Sequence, residues 1–208
     1  MKRYWTIVVV IALTAAIAGM YLASQLSRPD LPALASGTAF PEPMPLASFE
    51  LVDVHGARIT PAELRGHPNL VFFGFTHCPD VCPTTLAQLA SVQKKLAGNT
   101  SFAGLKVALI TVDPERDTPE QMGKYISAFQ GDLIGLTGSP PEIVKAQKTF
   151  GVAASRTDLP GGGYMMDHSA AVFLLDSQAR KIAVFTPPLR ADAIARDLAT
   201  LAPIIGRR

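Results

Sequence analysis

Hydrophobic residues along this chain alternate between short strand-like runs and longer stretches with helical spacing. Runs rich in Val, Ile, Leu and Phe predict strands at residues 69–76, 105–112, 169–176 and 181–186. Apolar faces and helix-start residues predict helices at residues 83–96, 118–129, 141–150 and 191–201. A short hairpin is predicted from residues 49–54 and 58–60.

The order of these elements predicts the fold class. A hairpin, a β-α-β unit, further helices and a final β-β-α unit supply parallel strand pairs joined by helices and an antiparallel pair at the end. This is what a thioredoxin-like sheet requires, although the pattern alone leaves other α/β sandwiches open. We therefore predict an α/β protein with a thioredoxin-like sheet flanked by helices, preceded by an N-terminal transmembrane helix.

The N-terminal segment carries the signal for that helix. Lys2 and Arg3 precede an uncharged run, residues 6–22, which reaches the lower limit of the roughly 17 to 25 residues that span a bilayer. The two cations place the N-terminus in the cytoplasm. The first Ala-x-Ala sequence after the run lies at residues 33–35, well past its end, which favours an uncleaved anchor over a cleaved signal peptide.

Composition divides the rest of the chain. Residues 23–45 contain five prolines and no helical or strand period, which predicts a semi-extended tether. We predict a short cytoplasmic tail and transmembrane anchor at 1–22, a Pro-rich tether at 23–45 and a thioredoxin-like domain at 46–208. The net charge is only +2 and the basic residues are scattered, so nucleic-acid binding is not expected.

The two cysteines of the chain carry its clearest chemical signal. Cys78 and Cys82 lie between a predicted strand and a predicted helix, and each is followed by a proline. Proline disfavours the helical conformation in the preceding residue, so both cysteines are predicted to lie outside a helix that starts at Pro83. Thiols at a helix N-terminus have a lowered pKa, because the positive end of the helix dipole stabilises thiolate.

Three interpretations of this pair remain open on the residues alone. A structural disulfide would close a loop too short to constrain the unfolded chain strongly. A redox dithiol would resemble the C-x-x-C pair of thioredoxins, but three residues separate these cysteines. Two thiolates near an imidazole would form a metal site that favours Cu(I) and also suits Zn or Cu(II).

Three separated motifs resemble the Sco/SenC family of copper chaperones. They are Phe-Gly-Phe-Thr-His-Cys-Pro-Asp-Val-Cys-Pro at 73–83, Thr-Val-Asp-Pro-Glu-Arg-Asp-Thr-Pro-Glu at 111–120 and Tyr-Met-Met-Asp-His-Ser at 164–169. The resemblance runs from about Pro45 to the C-terminus. It implies a thioredoxin-like fold that binds Cu(I) or Cu(II) through both motif cysteines and a distant histidine.

The resemblance also assigns residues and partners. Cys78, Cys82 and His168 are implied as the copper ligands, and Cys78 and Cys82 also as a redox disulfide. Implied partners are the copper-site subunit of cytochrome c oxidase, whose dinuclear copper site the family helps to assemble, and other periplasmic copper carriers. The implied location is the bacterial inner membrane, with a single span and the soluble domain in the periplasm.

The setting of His168 supports this assignment. It follows a loop, residues 155–167, that contains three consecutive glycines and is predicted to be mobile. It also precedes a predicted strand, at a place where thiol oxidoreductases of this fold carry a cis-proline and this sequence offers an imidazole.

Other candidate residues receive milder roles. His77 is expected to be an accessory or entry group, while His55 and His67 are expected to be solvated. Asp80 and Asp113 are candidates for supporting the ligands or capping a helix. Met165 and Met166 flank the site, but methionine more often packs than binds copper.

Three functional hypotheses follow. The first is a copper-transfer chaperone for oxidase maturation, which is not an enzyme. The second is a membrane-tethered thiol-disulfide reductase that maintains the copper-ligand cysteines of the oxidase. A third is a redox or copper sensor. The first two both need Cys78 and Cys82, but only the first needs His168.

Overall fold

A computed structural model describes residues 2–26 and 32–205 of the protein. The chain divides into two compact units, Met1–Leu31 and Pro32–Arg208, which are considered separately. The first unit contains one helix, α1, at Lys2–Leu26. Within the described ranges, none of the helices combines the length and apolar character that crossing a bilayer requires. The predicted transmembrane helix at 1–22 is therefore not supported.

The second unit is built around an eight-stranded mixed sheet. Among the described residues, the strands of this unit are β1 Gly37–Pro45, β2 Leu51–Asp53, β3 Arg58–Ile59, β4 Asn69–Gly74, β5 Lys106–Thr111, β6 Leu133–Thr137, β7 Ala154–Asp158, β8 Tyr164–His168, β9 Val172–Leu175 and β10 Arg180–Phe185. Its helices are α2 Val81–Leu96, α3 Pro119–Ile126, α4 Pro140–Phe150 and α5 Ala191–Ile205. The main sheet has the order β1-β10-β9-β4-β5-β6-β2-β3, and β7 and β8 form a separate two-stranded sheet.

Strand β4 lies at the centre of this arrangement. All six of its residues are buried, as expected for a strand covered on both faces. It pairs in parallel with β5 and antiparallel with β9, so the sheet is mixed. The predicted α/β class, with a sheet flanked by helices, is confirmed. The end of β4 leads directly into the segment that carries the cysteines.

Part of the predicted tether is a strand. β1, at Gly37–Pro45, is an edge strand of the main sheet and pairs antiparallel with β10, with a register shift between Ala39 and Met44. Prolines cannot donate a ladder hydrogen bond, but they are tolerated in an edge strand such as this one. The proline content that predicted an irregular tether therefore marks a sheet edge in this segment, and the second unit begins near Pro32 rather than at residue 46.

Strand β6 was missed by the sequence analysis. Its sequence is short and contains Gly135, which weakens a strand pattern. The structure explains the glycine, because a Cβ there would lie 3.1 Å from Val54 Cγ1 and 3.3 Å from Met122 Cβ. Close packing against the neighbouring elements thus requires a glycine at this position, and the glycine interrupts the side-chain pattern that would have predicted the strand.

The predicted loop at 155–167 is a hairpin instead. β7 and β8 pair antiparallel from Ala154 opposite His168 to Asp158 opposite Tyr164, and the three glycines form the turn. The strand predicted to begin at Ser169 begins at Val172. His168 is therefore the last residue of a paired strand, and the predicted mobility of this segment stays a prediction.

Asp197 of α5 fastens the start of β1. Its carboxylate accepts hydrogen bonds from the N–H groups of Ala35 and Ser36 at 2.7 Å, from the Ser36 hydroxyl at 2.7 Å and from the Gly37 N–H at 3.0 Å. Burial acts to raise the pKa of this carboxyl, but these hydrogen bonds outweigh burial and hold the pKa below its ordinary value. The folded protein therefore favours the ionised form of the Asp197 carboxyl.

We predict that Asp197→Ala lowers the free energy of unfolding at pH 7 by about 2–4 kcal/mol, because the substitution removes a buried, charged acceptor and leaves its N–H and hydroxyl donors without a partner. Since the pKa is depressed in the folded state, the contribution is complete above the ordinary carboxyl pKa and is lost as pH falls through the folded value. Urea unfolding at pH 7 and at stepwise lower pH measures it. Asp192→Ala, on the exposed side of the same helix, is the control and should destabilise the protein less than Asp197→Ala, because its ion pair with Lys95 is exposed to solvent. If the difference in free energy of unfolding between the wild type and Asp197→Ala stays the same at low pH, the result would contradict this account.

Candidate metal centre

Cys82 lies in the first turn of α2. Asp80 is the N-cap of this helix, which makes Cys82 the second helical residue and Pro83 the third. Proline is tolerated there because the first N–H groups of a helix have no partner within it. The prediction that the helix starts at Pro83 and that Cys82 lies outside it is therefore wrong. The helix carries the Cys82 sulfur into the core, where the residue is fully buried.

Cys78 lies in the loop between β4 and α2 and is half-buried. Its N–H donates to the carbonyl of Phe75 at 3.3 Å. Its sulfur accepts a hydrogen bond from the backbone N–H of Cys82 at 3.3 Å. Both cysteines are free thiols. The Cys82 N–H, in the first turn of α2, therefore points at the Cys78 sulfur, while the Cys82 side chain carries the second sulfur from the same turn.

His168 reaches the same place from β8. Its Nε2 lies 3.8 Å from the Sγ of Cys82, across 86 positions of sequence. Its Nδ1 lies 3.1 Å from the carbonyl oxygen of Ser169. A carbonyl only accepts, so Nδ1 carries the proton and Nε2 presents its lone pair to the sulfur. Phe72 and Phe75 meet the imidazole edge-on, each with a centroid distance of 6.0 Å.

Burial sets the protonation of this pair. It raises the pKa of the Cys82 thiol well above its ordinary value, and the hydrogen bond with Cys78 acts in the same direction. It lowers the pKa of His168, with the hydrogen bond to Ser169 only partly offsetting it. The prediction of a lowered thiol pKa is wrong for Cys82, because desolvation outweighs the helix dipole. The metal-free pair is a neutral thiol facing a neutral imidazole.

Gly74, the last residue of β4, makes room for the sulfur. A Cβ at this position would lie 3.0 Å from Cys82 Sγ and 3.0 Å from the ring of Phe72. Any side chain would therefore displace the thiol or the neighbouring ring. The glycine allows the thiol to lie directly against the central strand.

The geometry of the pair suits two donors to one ion. The Cys82 Sγ and His168 Nε2 lie 3.8 Å apart, close enough for both atoms to bind one ion. Within residues 2–26 and 32–205, no three side chains of His, Cys, Asp or Glu are grouped closely enough to hold an ion as they stand. A three-donor site that includes Cys78 therefore requires side-chain movement.

The remaining candidates lie around the pair rather than in it. The His77 ring contacts the Thr76 hydroxyl at 3.0 Å and lies 3.8 Å from Asp117, with about half of its side chain exposed. Met165 and Met166 pack against the core. Asp80 is the N-cap residue, but its side chain accepts only from Thr84 at 3.4 Å and not from a helix N–H.

The other two histidines lie elsewhere. His55 is exposed, as predicted. His67 is half-buried, with its Nδ1 3.4 Å from the carbonyl of Pro68, rather than fully solvated.

Residues 113–117 form a segment in which the sequence predicted a supporting role for Asp113 but none for Arg116 or Asp117. Asp117 hydrogen-bonds Thr76 at the entrance of the cysteine loop. Asp113 and Arg116 both contact Tyr164 of the hairpin. The segment lies inside the second motif, but the pattern of residues does not reveal which side chains turn inward. Asp113 thus contacts the hairpin that carries His168, and its predicted role in supporting the ligands stays a prediction.

The mixed sheet and the cysteine-bearing helix start define a thioredoxin-like α/β protein with a candidate metal centre. Residues 41–203 match the SCO1/SenC family. This chain belongs to that family.

Individual relatives agree. An SCO2-like protein of Rickettsia prowazekii is 34% identical over 177 residues, which cover 84% of this chain and 85% of the relative. The crystal structure of Arabidopsis thaliana ScoI with copper bound is 33% identical, with a TM-score of 0.71, covering 74% of this chain and 95% of that one. The structure of Bradyrhizobium japonicum ScoI with copper bound is 38% identical, with a TM-score of 0.67, covering 75% and 98%.

We predict that alkylation distinguishes the two thiols. Thiolate is the reactive form, and Cys82 is both buried and raised in pKa, so iodoacetamide should modify Cys78 at least about tenfold faster than Cys82 at pH 8. Peptide fragmentation mass spectrometry of the wild-type protein, sampled over time, locates the label. Mild denaturant, which exposes both thiols, is the control and should equalise the rates. Equal rates in the native protein would show that Cys82 is accessible.

Proposed function

We propose that this chain binds copper through Cys78, Cys82 and His168 and delivers it to the dinuclear copper site of cytochrome c oxidase. Membership of the SCO1/SenC family and the two copper-bound relatives support copper as the cargo. The observation that carries the residue assignment is the 3.8 Å contact between the Cys82 sulfur and the bare Nε2 of His168.

The donor set suits copper. Thiolates are soft ligands that favour Cu(I), and imidazole suits both Cu(I) and Cu(II). Burial keeps the Cys82 thiol protonated, and a copper ion bound between the sulfur and Nε2 would replace that proton. Two thiolates and a neutral imidazole give a net charge of −1 with Cu(I) and 0 with Cu(II). Neither oxidation state leaves a large uncompensated charge in a buried site.

Delivery requires that copper can also leave. His168 is carried by a two-stranded hairpin, whereas both cysteines belong to the β4–α2 connection at the centre of the domain. We propose that an acceptor thiol displaces His168 first, so that copper passes between sulfurs by ligand exchange. Such a protein binds and releases a cargo and transforms no small substrate, and is therefore not an enzyme in this role.

The setting of this function follows the family resemblance. We propose that the domain works on the outer side of a bacterial inner membrane, receives copper from other periplasmic carriers and meets the copper-site subunit of the oxidase there. The resemblance supports this setting. Fractionation of cells that express the full chain tests it, since a cytoplasmic pool would contradict the proposal.

The ligand set is tested by copper titration of single variants. We expect His168→Ala to keep Cu(I) on two sulfurs while losing most Cu(II), because Cu(II) depends more on the imidazole. Cys78→Ser and Cys82→Ser should abolish the thiolate-to-Cu(II) charge-transfer absorption. His77→Ala is the matched control, because this histidine lies beside the cysteine loop but faces Asp117, and it should leave both affinities unchanged. Unchanged Cu(II) affinity in His168→Ala would remove that residue from the ligand set.

A second prediction follows from protonation. Copper must displace the Cys82 proton, whose pKa is raised by burial, so the apparent Cu(I) affinity should rise by about tenfold or more for each pH unit between 6 and 8. The neutral His168 contributes little to this slope, because its pKa is already lowered. Competition with a chromophoric Cu(I) chelator measures it. Cys82→Ser should show a shallower slope, and a flat profile in the wild type would mean that Cys82 binds no metal.

The alternative, a membrane-tethered thiol-disulfide reductase, depends on both cysteines but not on His168. The raised pKa of Cys82 disfavours rapid thiol exchange through that residue. Reduction of a model disulfide by the metal-free protein separates the two functions. A wild type that binds no copper, yet reduces disulfides readily with or without His168, would favour the reductase.

A further inference from the structure

The two halves of the candidate centre come from distant parts of the chain, and one short segment contacts both. The segment comprises residues 113–117 and follows β5. Asp117 is fully buried and accepts hydrogen bonds from the Thr76 N–H at 3.1 Å, the Thr76 hydroxyl at 2.6 Å and the Thr111 hydroxyl at 2.6 Å. Because Thr76 is two residues before Cys78, this carboxylate fixes the entrance of the cysteine loop.

The same segment fastens the hairpin that carries His168. Asp113 is 3% exposed and accepts the Tyr164 O–H at 2.8 Å. Arg116 donates from Nη1 to the Tyr164 carbonyl at 3.1 Å, and its guanidinium carbon lies 3.7 Å from the centroid of the Tyr164 ring. Arg116 is itself oriented by an ion pair with Asp113. The first residue of β8 is thus held by its hydroxyl, its carbonyl and its ring.

The contact continues from Tyr164 to His168. The two residues are four positions apart in β8, so their side chains lie on the same face of the ribbon. On its other side, the Arg116 guanidinium lies 5.9 Å from the centroid of the Phe75 ring, and Phe75 meets the His168 ring edge-on. A chain of contacts therefore runs from Tyr164 through Arg116 and Phe75 to the imidazole.

From these contacts we infer that Arg116 and Tyr164 are positioning residues for His168, and that segment 113–117 sets the separation between the histidine and the cysteines. The inference rests on the proposed function for its consequence in copper binding. The planar guanidinium is needed because it combines a hydrogen bond, an ion pair and stacking on an aromatic face, which a lysine cannot reproduce together.

The structure offers a matched control on the opposite face of Tyr164. The guanidinium carbon of Arg156 lies 3.8 Å from the same ring centroid, but this side chain is half exposed and pairs with Asp158 and Glu115. It therefore stacks on the same tyrosine and pairs with Glu115 of the segment, whereas Arg116 is the guanidinium that also approaches Phe75, the ring that meets His168. A residue that only stabilises the hairpin should behave like Arg156.

The test compares Arg116→Lys and Tyr164→Phe with Arg156→Lys. We expect the first two to weaken Cu(II) binding by about tenfold or more, as loss of a group that orients a metal ligand does, while Cu(I) affinity changes by less than about threefold. Arg156→Lys should leave both affinities within about threefold of the wild type. In a His168→Ala background, Arg116→Lys should have no further effect on Cu(II), because the histidine it positions is gone.

NMR of the metal-free protein tests positioning without copper. The His168 ring resonances and their contacts to Phe75 should shift in Arg116→Lys and Tyr164→Phe but not in Arg156→Lys. Ring signals that stay unchanged in Arg116→Lys would overturn the inference even if copper binds as proposed. Shifted rings in a protein that needs no His168 for copper would instead overturn the proposed function alone. If Arg116→Lys lost Cu(I) and Cu(II) affinity equally, Arg116 would have a general structural role, and the inference that it positions His168 would be overturned.

Discussion

The contact between the Cys82 thiol and His168 is the constraint around which the domain is organised. The Cys82 thiol is buried and the His168 imidazole is partly buried, and burial is costly for polar groups that lack a partner. Each group supplies the partner that the other needs, with the proton on sulfur and the lone pair on nitrogen. The arrangement is neutral, and it presents two soft or borderline donors once the thiol proton departs. The rest of the fold serves to bring these two atoms together across 86 positions of sequence.

Three parts of the fold achieve this. The fully buried strand β4 ends in Gly74, whose missing side chain leaves space for the Cys82 sulfur. The first turn of α2 then directs the sulfur inward. From the other side, the β7–β8 hairpin ends in His168, and the segment after β5 contacts both the cysteine loop and the hairpin. The centre therefore lies beyond the carboxyl end of β4, where α/β proteins commonly place their sites, and the end of β8 in the separate two-stranded sheet contributes His168 to it.

The sequence predicted the layers of this fold better than its local exceptions. Long apolar strands and helices with one apolar face were predicted because burial imposes a period on them. β6 was not predicted because Gly135, which the close packing of neighbouring side chains requires, weakens the strand pattern. β1 was not predicted because its prolines are equally typical of tethers and of sheet edges. The three candidate ligands were found through the motifs, and the structure brings Cys82 and His168 into contact. The conformation and the pKa of Cys82 were predicted wrongly, since a proline rule and a dipole rule were both outweighed by tertiary burial. No residue pattern shows which charged side chains of 113–117 turn inward.

The two outermost strands of the main sheet have a consequence of their own. An exposed edge offers free backbone donors and acceptors on which a strand from another molecule can assemble. On one side, β1 carries Pro41, Pro43 and Pro45, each of which removes a donor, together with a shift in register. On the other side, β3 is only two residues long. Both borders are thus poor templates for intermolecular sheet growth, which protects a large, mostly apolar sheet from self-association through its edges.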